Sequence, residues 1–139
     1  MGLTDFLSKL FGNKAQRDMK SVRPYIEKIR MVYPSIQSLS DDELRQKTLD
    51  IRAEIQQYVA EETQQIADLK AQIEGQEIEQ REKTYAEIDK LEKAKVDKFE
   101  VILNEKLPEV FSIVKETARR FSENESIVVT ATELDRKLA

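Results

Sequence analysis

The decapeptide LSDDELRQKT, residues 39–48, constrains the fold of this chain more than any other segment. Ser40 and Glu43 form a capping box, in which the serine hydroxyl accepts the backbone N–H of Glu43 and the glutamate accepts the N–H of Ser40. Asp41, Asp42 and Glu43 also stabilise the positive end of a helix dipole. A helix therefore begins here, and no strong stop signal follows before Gly75.

Composition restricts both the fold class and the chemistry. Charged residues make up 36% of the 139 residues, and only three residues are glycine. Runs of β-branched or aromatic residues are few, which predicts an all-α fold with at most one short strand near residues 127–130. The chain has neither cysteine nor histidine, which argues against the usual zinc sites and removes the commonest general base.

The charge is unevenly distributed. Residues 1–34 hold seven Lys or Arg and three Asp or Glu, whereas the whole chain has a net charge of −4. An acidic bulk with a basic N-terminal end argues against a nucleic-acid partner and suits a local contact with an anionic surface. Neither a signal peptide nor an apolar run of membrane-spanning length is evident, so we expect a soluble or peripheral cytoplasmic protein.

The first 13 residues have the apolar spacing of one helix face. The predicted helix is about three turns long, which is too short for stability in water. Its apolar face therefore needs cover from its own protein, from a partner or from a membrane. With the neighbouring basic residues it forms a predicted docking surface that consists of Leu3, Phe6, Leu7, Lys9, Leu10, Phe11, Lys14 and Arg17.

The remaining apolar positions predict more helices. Residues 14–33 form one helix, with a kink or short break at Pro24 and an end at Pro34. Its apolar seam consists of Met19, Val22, Ile26, Ile29 and Tyr33. A second helix begins at Leu107-Pro108-Glu109 and ends at residues 122–124. Its predicted apolar face consists of Val110, Phe111, Val114, Ala118 and Phe121. Another helical pattern starts at Thr132, and the chain stops within it, as in a segment of a longer protein.

Between these segments a sparse apolar stripe is typical of a two-helix coiled coil. The spacing alone allows either one helix of about 60 residues or two antiparallel arms that turn near Gly75-Gln76. The predicted stripe consists of Leu44, Thr48, Ile51, Ile55, Tyr58, Val59, Ile66, Leu69 and Ile73 before the turn, and of Ile78, Tyr85, Ile88, Leu91, Phe99 and Ile102 after it.

No pattern supports a catalytic, cofactor or metal site. The three glycines are Gly2, Gly12 and Gly75, so no phosphate-binding loop can be formed from them. Paired acids such as Asp41-Asp42 and Glu61-Glu62 are expected to be solvated helix faces and caps. The helix dipole explains Arg119-Arg120 near a helix end, and a contact with a partner is the alternative.

Four blocks, in this order, resemble the N-terminus of the SecA family of preprotein translocase ATPases. They are LSKLFG at residues 7–12, the basic stretch 14–30, LSDDELRQKT at residues 39–48 and LPEVFSIVKETARRF at residues 107–121. The resemblance implies a motor that uses ATP hydrolysis to move secretory preproteins through a membrane channel. It assigns residues 1–13 to contacts with anionic phospholipid and the channel, at the inner face of the cell membrane. It assigns residues 14–55 and 103–121 to the start of the first nucleotide-binding domain.

The family's ATP-binding loop lies further along, so ATP and Mg²⁺ belong to the parent protein and this span alone is expected to be inactive. Family members also join the two scaffold helices by a short connection, whereas about 45 residues intervene here. If the flanking helices keep their family positions, a straight rod would separate them by about 90 Å. The resemblance therefore favours an antiparallel helical hairpin inserted over residues 56–102, with residues 122–139 starting the next segment.

Two other functions explain part of the pattern. A stand-alone coiled-coil tether or adaptor, with a reversible membrane-binding N-terminal helix, explains the hairpin and the lack of a catalytic site. It does not explain the dense apolar face of residues 110–121. A hairpin that serves as a docking arm for a partner is motivated only by its acidic surface.

Overall fold

The computed structural model describes residues 14–139, apart from the side chains of residues 15–17. Its helices are α1 (Lys14–Gln37), α2 (Asp41–Tyr58), α3 (Ala60–Gln72), α4 (Ile78–Glu123) and α5 (Glu133–Leu138), with a 3₁₀ turn at Ile73–Gly75. Residues 14–139 contain no strand. The predicted all-α class is therefore confirmed.

Three prolines lie inside helices. The helix end predicted at Pro34 and the helix start predicted at Pro108 are therefore wrong. Helix α1 continues through Pro24 and past Pro34 to Gln37, and α4 passes through Pro108 without a new start. An internal proline costs a backbone hydrogen bond, but packing supplies most of a helix's stability in a protein. Pro108 is itself buried, and its carbonyl accepts a hydrogen bond of 2.7 Å from the Ser112 hydroxyl.

The described residues form two compact units. Unit 1 comprises residues 14–39 and 108–127, that is, α1 and the C-terminal part of α4. Its buried apolar side chains include Ile36 and Ile113. Most of the other buried groups in its part of α4 are polar, which the apolar spacing did not predict.

Unit 2 comprises residues 40–107 and 128–139. Three ion pairs join its two long arms: Glu54 with Lys106, Glu62 with Lys98 at 2.5 Å, and Lys70 with Glu92 at 3.0 Å. The numbers rise along one arm as they fall along the other, so these arms run antiparallel. The 3₁₀ turn lies between them, and the buried apolar side chains are Leu44, Ile51, Val59, Ile66, Ile88 and Ile102.

Several predicted seam positions are exposed instead. Thr48, Tyr58, Ile78 and Tyr85 all face solvent, and Ile78 is 81% exposed. Next to Tyr85 the buried residue is Thr84, whose hydroxyl donates to the side-chain oxygen of Gln76 at 2.8 Å. A residue that follows a buried one on a helix lies about 100° further round, which turns the Tyr85 side chain outward.

Residues 127–130 form no strand, although the sequence allowed one. The backbone N–H groups of Val128 and Thr130 donate to the carboxylates of Asp41 and Asp42. Backbone donors that a strand would pair with another strand are satisfied here by side chains at the start of α2.

Candidate docking site

Most of the predicted docking surface lies outside the described residues. This applies to Leu3, Phe6, Leu7, Lys9, Leu10 and Phe11. Lys14 is exposed at the first residue of α1, and Arg17 lies in α1 with a side chain that is not described. The docking assignment therefore stays a prediction.

Helix α1, which follows this segment, is basic and exposed. Its described cationic side chains Lys14, Lys20, Arg23, Lys28 and Arg30 all face solvent. Arg30 contacts Glu27 at 3.1 Å, an i, i+3 pair on the surface. Within residues 14–139, no helix is both long and apolar enough to cross a membrane.

A buried charged network holds the C-terminal half of α1 within unit 1. Glu116 on α4 is fully buried, and its carboxylate accepts hydrogen bonds from the Tyr33 hydroxyl at 2.8 Å, Arg119 at 2.7 Å and Arg120 at 2.8 Å. The Arg119 hydrogen bonds are the main cause that lowers the pKa of Glu116 to about 2, while burial opposes the shift. The network keeps this buried acid ionised.

The same network caps α1. Arg120 donates to the backbone carbonyls of Leu39 at 2.5 Å and Gln37 at 3.5 Å. These carbonyls lie at the helix end, where no intrahelical donor remains for them. Lys115 lies 4.1 Å from the centre of the Tyr33 ring, a cation–π contact that adds to the attachment. The end of the basic helix is thus fixed at several points.

A second polar cluster lies at the start of α2, in unit 2. The predicted capping box is present, with the Ser40 hydroxyl accepting the N–H of Glu43 at 3.2 Å and the Glu43 carboxylate accepting that of Ser40 at 2.7 Å. Asp42 also accepts both the N–H and the hydroxyl of Thr130, at 2.8 and 2.6 Å. These two hydrogen bonds lower the pKa of Asp42.

Arg45 completes this cluster from the next turn of α2. It donates to the Thr130 carbonyl at 3.2 Å and to Asp135 at 2.9 Å. The pKa of Asp135 falls to about 2, chiefly because of the backbone N–H of Thr132 and then because of Arg45. The acids Asp41 and Asp42, predicted as caps or a solvated face, also hold the segment that leads to α5.

Sequence reasoning missed the role of the buried network. It placed Tyr33 in an apolar seam and assigned Arg119-Arg120 to the helix dipole. The spacing of Glu116, Arg119 and Arg120 at i, i+3 and i+4 is a local signal that could have suggested mutual pairing. The contact with Tyr33, 83 residues away, has no such signal.

Comparison with known proteins identifies the family. The family model described as the SecA DEAD-like domain matches residues 7–131. The chain is 58% identical over its whole length to the protein translocase subunit SecA of Parabacteroides distasonis, and 53% identical over its whole length to that of Porphyromonas gingivalis. It is 46% identical, over 99% of its length, to the subunit of Flavobacterium psychrophilum.

The chain spans 12% of the length of each of these relatives. No solved structure matches it significantly. The match to the family model covers the capped helix α2, the two arms of unit 2 and the buried network alike. The chain belongs to the SecA family.

Proposed function

We propose that this chain is the N-terminal part of an ATP-driven protein translocase motor, in which it supplies membrane and channel docking and a helical scaffold. The observation that carries the proposal is the 58% identity over the whole chain to a protein translocase subunit SecA. The parent protein would then be an ATPase that acts on secretory preproteins. It would work in the cytoplasm, attached peripherally to the inner face of the cell membrane.

We propose further that this span holds no ATP site. Gly75 lies in the 3₁₀ turn between the two hairpin arms, and the other two glycines belong to residues 1–13. A phosphate-binding loop needs closely spaced glycines followed by a lysine, and the span does not contain that pattern. ATP and Mg²⁺ would accordingly be bound by other parts of the parent protein.

Docking would combine apolar burial with charge attraction. Leu3, Phe6 and Leu7, with the apolar residues after them, would enter the boundary region of the membrane. Each nearby Lys or Arg contributes about 1 kcal/mol at an anionic surface. The network around Glu116 supports the proposal because it fixes the end of the basic helix α1, so that a force on the docking segment is transmitted to the scaffold.

Liposome flotation tests the docking role. We expect the 139-residue chain to float with vesicles of phosphatidylcholine and phosphatidylglycerol and to float poorly with phosphatidylcholine alone. Phe6→Asp should reduce flotation with the anionic vesicles about tenfold, because it removes the burial of one aromatic side chain. Phe121→Asp is the matched control, since Phe121 is 71% exposed and lies outside the docking surface.

Equal flotation of Phe6→Asp and the unaltered chain would contradict membrane docking by this segment. A similar loss in Phe121→Asp would show that flotation reflects general surface hydrophobicity. The outcome with phosphatidylcholine alone separates the contribution of charge from that of burial.

A further inference from the structure

A groove open to solvent runs between α3 and α4 on one side of unit 2. Its apolar residues follow one another at helical spacings of three and four, so they share one face of each helix. Large apolar side chains are exposed along it, since Val96 is 63% and Leu103 51% exposed. We call this surface the arm groove, and its members are Ala60, Thr63 and Ala67 on α3 and Val96, Phe99 and Leu103 on α4.

The groove on the opposite side of the same two helices is more polar. Its lining includes Asp68, Glu87 and Lys90, and its apolar members are Leu69 and Leu91. Both grooves border the same seam between the two arms. The apolar character of the arm groove is therefore not a consequence of pairing the arms, and it indicates a cover on this side.

The two walls of the arm groove differ in the size of their side chains. Helix α3 contributes two alanines and a threonine, whereas α4 contributes valine, phenylalanine and leucine. The ion pairs that join the arms place Thr63 about level with Phe99, and Ala67 about level with Val96. Each large side chain therefore lies across the groove from a small one.

We propose that the arm groove packs against the arm groove of a second copy of this chain, with the two pairs of arms parallel. A twofold axis along the groove places α3 of one copy over α4 of the other at the same level. The large side chains of each α4 then enter the space above the small side chains of the other copy's α3, as knobs enter holes. An antiparallel arrangement would place large side chains against large ones and small against small.

The charges of the groove agree with the parallel arrangement. Lys70 and Glu92 lie level on the two walls and contact each other at 3.0 Å, so the Lys70 of each copy faces the Glu92 of the other. Lys95 lies 5.9 Å from the centre of the Phe99 ring on its own helix, which holds its ammonium group at its own wall. The proposal rests on unit 2 alone and is independent of the docking role.

Sedimentation equilibrium of the 139-residue chain tests the pairing. We expect a reversible monomer–dimer equilibrium, and Val96→Glu should weaken it about tenfold or more, because a carboxylate would enter an apolar contact without a partner. Val101→Glu is the matched control, since Val101 is 55% exposed on the same helix and lies about 140° further round. Circular dichroism of both variants checks that the helices are retained.

Disulfide formation tests the parallel arrangement, because the chain contains no cysteine of its own. Ala67→Cys and Val96→Cys chains are mixed in equal amounts and oxidised in a glutathione buffer. We expect disulfides that join one chain of each kind, since two cysteines form a bond only where their Cα atoms lie within about 7 Å.

A chain that stays monomeric at every concentration would overturn the proposal, as would equal association of Val96→Glu and the unaltered chain. Disulfides that join only like chains would overturn the parallel arrangement. A loss of association in Val101→Glu as large as that in Val96→Glu would also overturn it, because the contact would then not lie in the arm groove. Failure of flotation by the docking segment would leave these results unchanged.

Discussion

Glu116 is the residue on which unit 1 depends most. A fully buried carboxylate is costly unless charged donors surround it, and here Tyr33, Arg119 and Arg120 all donate to it. Replacing it by alanine would leave the buried Arg120 without this partner, at a cost of roughly 3–5 kcal/mol.

The lowered pKa of Glu116 predicts an acid-sensitive stability. The folded pKa of about 2 lies below the ordinary value of 4.5. The unfolded chain therefore binds more protons, so the stabilisation is fully present above about pH 4.5 and is lost as pH falls toward 2. In urea unfolding of the 139-residue chain, Glu116→Gln should lower the free energy of unfolding at pH 7 and flatten its decline between pH 4.5 and 2.

Tyr33→Phe is the companion variant for this measurement. It removes one hydrogen bond, at about 1 kcal/mol, but keeps the charge of Glu116 and hence most of the pH dependence. Parallel pH profiles for Glu116→Gln and the unaltered chain would show that this carboxylate does not carry the acid sensitivity.

The two polar clusters differ in how far the sequence predicted them. The capping box of Ser40 and Glu43 was predicted because its partners lie three residues apart and their geometry follows from the helix itself. The contact of Tyr33 with Glu116 depends on how two distant segments pack. Periodicity records which residues share a helix face, but not which other helix covers that face.

At the scale of elements, packing outweighs local helix signals. Pro34 and Pro108 lie inside α1 and α4, although each is a strong local breaker. The two arms were predicted to be helical from their apolar spacing. The prediction of which residues face the other arm was only partly correct. The prediction of a solvated face at Glu61-Glu62 is wrong for Glu62, which is buried. Thr84 is buried there as well, and an apolar pattern cannot reveal buried polar side chains.

Glu62 is the most constrained charge of the hairpin. It is 8% exposed, one of its oxygens contacts Lys98 at 2.5 Å, and the other has no hydrogen-bond partner within the described residues. The contact with Lys98 lowers the pKa of Glu62 and raises that of Lys98. The Lys98 side chain is 37% exposed, so the pair is half-buried. A polar pair at a helix–helix interface can fix the register of the two helices.

Charge exchange tests the role of this pair. Glu62→Lys should destabilise the chain by roughly 3 kcal/mol, because it places two cations together at a buried site. The double variant Glu62→Lys/Lys98→Glu should recover most of the loss, as measured by urea unfolding monitored by circular dichroism. The matched control is the exposed pair of Lys70 and Glu92, tested as Lys70→Glu/Glu92→Lys and as the two single variants. Each of these variants should change the free energy of unfolding by less than about 1 kcal/mol. A double variant no more stable than Glu62→Lys would show that the two charges do not act as a pair.

At the scale of the whole molecule, the chain combines two units with separate stabilising contacts. The network of unit 1 uses residues from α1 and from 108–127, and the arms of unit 2 are joined by their own ion pairs. Family membership was predicted from four short blocks and is confirmed over residues 7–131. The apolar face of α4 over residues 110–121 was predicted, but its exposure was not. An apolar pattern does not show which neighbouring segments cover a helix face.

Deletion of most of the two arms of unit 2 tests whether unit 1 is independent of them. In a variant with residues 57–102 replaced by a short Gly-Ser linker, every group of the Tyr33–Glu116–Arg120 network is retained. We therefore expect the loss of helical circular dichroism to match the helical residues removed, and amide exchange in the second half of α1 to stay protected. Glu116→Ala should destabilise this variant as much as it does the undeleted chain, since distant sites contribute additively. Loss of protection in α1, or of more helix than was removed, would show that the arms are part of the scaffold and that the two units fold as one.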